Sequence, residues 1–277
     1  MLNDRGQGVT RAIYVDGETK TGKGAAGHAI ADALKEAGYK VYYDVAGDFF
    51  RRYVALVREH LQLAEDQPLP TGEALEGAAA AVQVTGRAFD PKEDLGDLQR
   101  PSISGSVALL SELATVQMAG AEWYLHSAQQ AVESDAGVMV LDGRNPRRRI
   151  TTVTASSGPH IPTALDLYMT CAPKEAARRV LLTRGVTEPT DEELKAQTEA
   201  VVKRRDLDRK RGFVPFIDPA ASTPFELGDD PADVIKKSWR PHDDHQLPIT
   251  ISLDNTDISK DEMLAAVIEL AKAALEA

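Results

Sequence analysis

Apolar residues in this chain recur at two spacings, and the alternation between them predicts the order of the elements. Residues 12–15, 137–141 and 164–169 are apolar at almost every position, the pattern of strands covered on both faces. Residues 40–44 and 249–253 read as two further strands. Elsewhere the apolar positions return every three or four residues. Ala26, Ile30, Ala33, Leu34 and Ala37 form one such stripe; Phe50, Val54, Val57 and Leu61 form another. Helices are therefore expected over about 22–37, 47–63, 106–131, 192–211 and 261–275, with a stop at Gly38 and another helix start at Pro173.

Five strands alternating with helices predict an α/β domain with a five-stranded, mainly parallel sheet covered by helices on both faces. Residues 1–65 and 106–277 are read as its core. Between them, 66–105 changes character: Pro68 and Pro70, an alanine run at 78–81, a strand-like Val82-Gln83-Val84-Thr85, then Pro91 and a charged stretch. This segment is expected to project from the sheet as an insertion, and 219–247 to form a second one. Ligands of open α/β sheets gather at the carboxyl ends of the strands, where Gly17, Asp44 and Asp142 stand.

The first of these ends carries the strongest chemical signal. Asp16-Gly17-Glu18-Thr19-Lys20-Thr21-Gly22-Lys23-Gly24-Ala25 follows the first strand and opens the first helix, the layout of a phosphate-cradling P-loop. Glycine lets the backbone wrap an anion closely, and the helix presents its positive end. The backbone of Gly17, Glu18, Thr19, Lys20, Thr21, Gly22, Lys23, Gly24 and Ala25 is thus expected to hold a nucleoside triphosphate, with Lys23 reaching its outer phosphates. The alternative is a glycine-containing turn that binds nothing. Gly24 and Ala25 stand where a hydroxyl would help hold magnesium, so Mg2+ has one protein oxygen fewer than expected. Asp142, ending an apolar strand, is the candidate to meet the ion or its water, or else caps a turn.

Charge narrows the partners. The 277 residues include 32 basic and 43 acidic side chains, a formal net charge of −11, which disfavours nucleic acid and anionic membrane surfaces. No apolar run is long enough for a membrane span, and the N-terminus has no signal core. One cysteine, Cys171, excludes an internal disulfide and a cysteine-based zinc cluster, which fits a reducing cytoplasm. A monomer is the favoured state.

Against this acidic background three basic clusters stand out: Arg51-Arg52, Arg144 with Arg147-Arg148-Arg149, and residues 203–211, six of nine basic. Each could be a solvated face. Each could also neutralise a transferring phosphoryl group. Arg204, Asp208 and Arg211, at i, i+4 and i+7, would share one helical face. His242-Asp243-Asp244-His245 reads as an exposed turn ahead of a metal site. Cys171, Trp123 and Tyr124 read as packing residues.

Taken in order, these segments resemble the cytidylate kinase family of P-loop nucleoside monophosphate kinases over most of the chain. The likeness rests on residues 15–24; Ala46-Gly47-Asp48-Phe49-Phe50-Arg51; Arg100-Pro101-Ser102-Ile103-Ser104; Asp142-Gly143-Arg144; Ala172-Pro173-Lys174-Glu175; residues 203–211 with Val214-Pro215; and residues 253–259. The resemblance implies a P-loop NTPase fold with an acceptor-binding insertion at 66–105 and a lid over about 184–216. It implies ATP and Mg2+ as cofactors and transfer of the γ-phosphoryl group to a pyrimidine nucleoside monophosphate. Lys23, Arg204, Asp208 and Arg211 map onto catalytic positions. Asp48, Arg51, Gln117, Arg144, Asn145, Arg204 and Asp208 map onto the acceptor side, and Asp142 onto the metal side.

Departures from the family pattern fall on that acceptor side. Asn145 replaces an aspartate, Gln117 stands where an arginine is expected, and Ala108 aligns with a serine. Losing a charge-assisted contact commonly costs about 1.5–3 kcal/mol, so an altered acceptor follows. Two other readings stay open: a nucleotide-binding protein without turnover, and a P-loop kinase of another small molecule.

Overall fold

A computed structural model describes residues 9–155, 158–210, 222–242, 245–248 and 250–277. Its strands are Arg11–Gly17 (β1), Val41–Val45 (β2), Val138–Asp142 (β3), Thr163–Thr170 (β4), Ser222–Phe225 (β5), Trp239–His242 (β6), His245–Pro248 (β7) and Thr250–Asp254 (β8). Its helices are Lys23–Glu36 (α1), Ala46–His60 (α2), Glu73–Thr85 (α3), Pro101–Ser104 (α4), Val107–Leu110 (α5), Ala114–Glu133 (α6), Pro146–Thr154 (α7), Pro173–Thr183 (α8), Asp191–Lys210 (α9), Pro231–Ser238 (α10) and Lys260–Glu276 (α11). The chain is α/β, with helices flanking one parallel sheet in the order β2-β3-β1-β4-β8-β5. A separate antiparallel ribbon pairs β6 with β7.

Six strands form the sheet where the sequence predicts five. The extra one, β5, comes from inside the stretch expected to be an insertion, and it pairs Ser222 to Phe225 along β8. Pro224 hides it from sequence inspection, because proline argues against a central strand; β5 is an edge strand, where a missing donor is tolerated. Val234 and Ile235 of α10 then bury into the main core. Residues 222–238 are thus sheet and core, not an added wall.

The chain runs from β1 out to β2, returns to β3 beside β1, and then crosses to β4 on the other side. The strand order therefore reverses at β1, the switch point where an open parallel sheet leaves a crevice at its carboxyl ends. This arrangement is compatible with a P-loop-like fold. One core joins Ile13, Val15, Val140, Leu167, Met169 and Leu253 of the sheet to Ile30 and Leu34 of α1 and Val267 and Leu270 of α11. At the start of α11 the Ser259 hydroxyl takes the Glu262 N–H while the Glu262 carboxylate takes the Ser259 N–H, a capping box. α1 and β1 both contribute buried side chains to this cluster.

Two compact units divide the described chain: residues 1–44, 130–148 and 160–277 form the first, and 45–129 with 149–159 the second. The second takes in the 66–105 stretch together with α2 and most of α6. Its centre is aromatic: Phe49 stacks on Trp123 at 5.6 Å and meets Tyr53 edge-on at 5.9 Å. Arg52 donates to the Glu93 carbonyl at 3.1 Å and to that of Asp90, while Arg58 donates to the Gln67 carbonyl at 2.9 Å. Both guanidiniums are buried ties for polar loops, so Arg52 is structural and not a surface cation.

Two local expectations are corrected here. Val82-Gln83-Val84-Thr85 is the last turn of α3, because Leu75, Ala78, Ala79 and Val82 bury at helical spacing and Gly86 closes the helix at φ 67°. Tertiary burial outweighs the β-branched side chains. The helix expected from 106 to 131 is interrupted after α5. The Ser111 hydroxyl turns back to the Ala108 carbonyl at 3.0 Å, and α6 begins afresh at Ala114. Among the described residues no helix is long and apolar enough to cross a membrane.

Gly17 is where β1 can tolerate no side chain. Its φ is +149°, and a Cβ there would stand 2.3 Å from the Met169 carbonyl oxygen of the neighbouring strand. Backbone cannot yield as a flexible side chain does. Gly17→Ala should lower stability by about 2 kcal/mol or more, read from the urea midpoint; an unchanged midpoint would mean that β1 and β4 are not paired at Met169.

Candidate functional site

Between β1 and α1, residues 18–22 form a loop whose carbonyls are taken up by the surrounding protein. Glu18 O accepts from Lys23 Nζ and from Thr21 Oγ1, each at 3.0 Å. Thr19 O accepts from Arg205 Nη2 at 3.4 Å, and Thr21 O from Asn255 Nδ2 at 2.6 Å. A trans peptide is planar, so each fixed carbonyl points the next residue's N–H the opposite way. The N–H groups of Thr19, Lys20 and Gly22 are thereby aimed away from those partners.

None of the N–H groups of residues 19–25 meets an acceptor among the described residues. Helix α1 contributes to this: its N-cap is Gly22 in the left-handed region, no side chain caps it, and its first turn holds no acidic residue. A helix start leaves several N–H donors without intrahelical partners, and here nothing in the sequence supplies substitutes. The start of α1 is a cluster of N–H donors at the positive end of the helix.

Around this loop the charges form two linked groups. Glu18, nearly buried, pairs with Arg205 at 2.6 Å and Arg209 at 2.8 Å. Arg205 also donates to the Cys171 carbonyl at 2.9 Å, which ties α9 to the end of β4. Asp208, its side chain almost wholly buried, takes Arg144 at 2.8 Å and Arg204 at 3.2 Å. Arg144 in turn donates to Thr19 Oγ1 at 2.8 Å. Four arginines and two carboxylates thus surround residues 18 and 19.

Beneath the loop, Asp16 accepts from the Gly17 N–H at 2.6 Å and the Asn145 N–H at 3.0 Å. Burial drives its pKa up, against the pull of Lys23, its two N–H donors and Arg144. Burial likewise drives the Lys23 ammonium down, helped by Arg144 and opposed by Asp142, Asp16 and Asp208. Both groups are therefore held where neutral forms are easier to reach than in water. An Asp142 oxygen lies 3.5 Å from where a Cβ on Gly24 would sit, so this carboxylate stands beside the first turn of α1.

The structure brings together Lys23, Thr19, Asp142, Arg144, Asn145, Arg204 and Asp208, all read as site residues from sequence. Arg211 and residues 214–215 lie outside the described residues. Asp48, Arg51 and Gln117 belong to the second unit. There Arg51 pairs with Asp48 at 2.7 Å, and Arg149 donates to Gln117 Oε1 at 3.4 Å. Arg149 thus brings a guanidinium to the residue that occupies an expected arginine position. His242 and His245 are register partners in the backbone pairing of β6 with β7, with 243–244 outside the described residues. Among the described residues no group of three or more His, Cys, Asp or Glu is placed to hold a metal.

Sequence inspection placed Asp16, Arg205, Arg209, Asn255 and Arg149 in longer motifs or basic clusters and gave none of them a role of its own. For Arg205 a signal was present: Leu194, Val201, Arg205 and Asp208 are the buried face of α9, at intervals of seven, four and three. An apolar stripe extended along the helix lands on these two charged residues. Asn255 and Asp16 had no such signal, because their partners are remote carbonyls and turns.

The two arginines on Glu18 should respond very differently to mutation. Glu18→Ala leaves the buried Arg205 without its counter-charge and should cost about 3 kcal/mol in denaturant unfolding. Arg209 is half-exposed, and Arg209→Ala should cost under about 1 kcal/mol; equal losses would show that α9 is not anchored through Arg205. Lys20 sits at φ 65°, in the left-handed region that favours glycine. Lys20→Gly should therefore raise stability by about 0.5–1 kcal/mol, and a lower melting temperature would count against that backbone. Compared with protein-family models the chain has no match, and no curated protein is significantly similar to it, so the chemistry of the loop has to be read from its own atoms.

Proposed function

We propose that this chain is an ATP-dependent phosphotransferase of the nucleoside monophosphate kinase type, with a P-loop at residues 17–25 as its donor site. The observation that carries the reading is the run of N–H donors at residues 19–25, left without acceptors at an uncapped helix start. An anion with several oxygens can satisfy such a run at once. Lys23, held at rest by the Glu18 carbonyl, is the mobile cation that would transfer its ammonium to the outer phosphates.

In this reading the γ-phosphorus exchanges its bond to the β–γ bridging oxygen for one to a phosphate oxygen of the acceptor, and ADP leaves. That acceptor oxygen is already ionised near neutral pH, so no side chain has to remove a proton. The protein's task is alignment and charge neutralisation. Arg204 and Arg144 supply cations from opposite segments, both oriented by the buried Asp208. Asp142 is a carboxylate beside the first turn, and the nearby Ala25 has no hydroxyl to add. The residues fit a magnesium ion that arrives on the triphosphate, with Asp142 reaching it directly or through water; when bound it offsets charge on the β- and γ-oxygens.

Asp48, Arg51, Gln117 and Arg149 are proposed as acceptor-side groups of the second unit. Arg149 restores a cation beside Gln117, which favours an acceptor that still carries a phosphate. The change of contacts with Asn145 and Ala108 favours a base other than unmodified cytosine. One observation favours binding without turnover: the loop offers magnesium no hydroxyl at Ala25, and Thr21 Oγ1 is engaged by Glu18 O.

Incubation with ATP, magnesium and a panel of nucleoside monophosphates should release ADP with at least one pyrimidine acceptor. Lys23→Ala should slow that release by about a hundredfold or more, because a lost contact to developing charge acts on the rate itself. ATP binding without ADP release for any acceptor would replace this reading with the binding protein. No ATP binding at all would end both.

A further inference from the structure

The loop carbonyl of Thr21 is controlled by one buried side chain that has no charge and no exposed surface. Asn255 follows β8, and its Nδ2 donates to Thr21 O at 2.6 Å and touches Met263 Sδ at 3.2 Å. Its Oδ1 accepts from Arg179 Nη1 at 3.0 Å. The amide orientation is dictated by these neighbours, since a carbonyl needs a donor and a guanidinium needs an acceptor. The backbone is pinned as well: Asn255 N donates to Thr170 O at 2.9 Å, and its carbonyl accepts from Arg179 Nη2 at 2.8 Å. With its backbone and both ends of its amide engaged, this side chain cannot swing without breaking a buried contact.

We propose that Asn255 is a positioning residue that aims the Gly22 N–H at the bound phosphate. The peptide between Thr21 and Gly22 is planar, so drawing its oxygen toward Asn255 drives its N–H to the other side. Gly22 is in the left-handed region, where glycine can flip with little steric penalty. The same freedom that lets the loop form would let this peptide turn over. A fixed donor on the oxygen is what selects one of the two orientations. Arg179 completes the device: held by Glu175 at 3.0 Å, it fixes Asn255 from behind.

The inference rests on the P-loop reading only for the identity of the anion, and its test separates the two. Asn255→Asp keeps the acceptor for Arg179 and the shape, and removes the donor to Thr21 O. The residual dipolar coupling of the Gly22 N–H, which reports that bond's direction, should change in this variant, while couplings in the middle of α1 stay as they are. Tripolyphosphate and ATP should each bind about tenfold more weakly, the scale of one hydrogen bond. Arg179 remains paired, so the melting temperature should fall far less than in Glu18→Ala. If the new carboxylate prevents folding, Asn255→Ser carries the same measurements with a neutral side chain too short to span both partners.

An unchanged Gly22 coupling overturns the proposal, as does wild-type tripolyphosphate affinity in a folded variant. If the unmodified protein binds neither tripolyphosphate nor ATP, the donor-site reading fails. The role of Asn255 is then decided by the Gly22 coupling alone, where a shift supports it and constancy ends it.

Discussion

Peptide planarity is the constraint on which the rest of this molecule's chemistry depends. In the loop after β1, three carbonyl oxygens are held from outside by Lys23, Arg205 and Asn255, and the N–H groups that follow them have no choice of direction. Two of the three donors come from distant places in the chain, α9 and the turn after β8, while Lys23 opens the adjacent α1. A local loop conformation is thus maintained by tertiary structure. It follows that the loop is only as well formed as the packing of α9 and of the β8 turn.

Glu18 shows how that packing is achieved and what limits it. A carboxylate within a loop rich in N–H donors would be expected to draw them in, as a capping side chain does. Its pairing with Arg205 and Arg209 takes it toward α9 instead. The ion pairs therefore serve two ends: they anchor the helix, and they keep an internal anion off the donors. Since Arg205 is nearly buried, the gain is one of geometry more than of stability, because desolvating such a pair offsets most of its attraction. The strength of the arrangement lies in its contacts to the Cys171 and Thr19 carbonyls, which fix the guanidinium plane.

Much of this fold was legible because the relevant information is periodic. Continuous apolar runs marked β1, β3 and β4, and three- and four-residue spacing marked α1, α2 and α11. Gly17 and Gly22 marked a turn between β1 and α1 through residue type. What was not legible has one physical cause in each case. β5 was hidden by a proline that only an edge strand accepts, and the end of α3 by β-branched residues that burial turned helical. Asn255 and Arg149 meet Thr21 and Gln117 more than twenty residues away, so spacing does not reveal their partners. Arg205 was hidden by its company: in a run of cations the buried one differs from its neighbours only in phase along the helix.

Side chains that meet a ligand can change with the ligand. A loop that would meet an anion through its backbone is different, because sequence reaches backbone only through φ angles and through whatever holds the carbonyls. Lys20 takes a left-handed φ that would suit glycine, and the loop holds its course because Thr19 O and Thr21 O are fixed on either side of it. A strain of about 1 kcal/mol at one residue is small against two buried tethers. The direction of this loop's N–H groups is therefore set by Arg205 and Asn255, outside the loop, as much as by the residues of the loop itself.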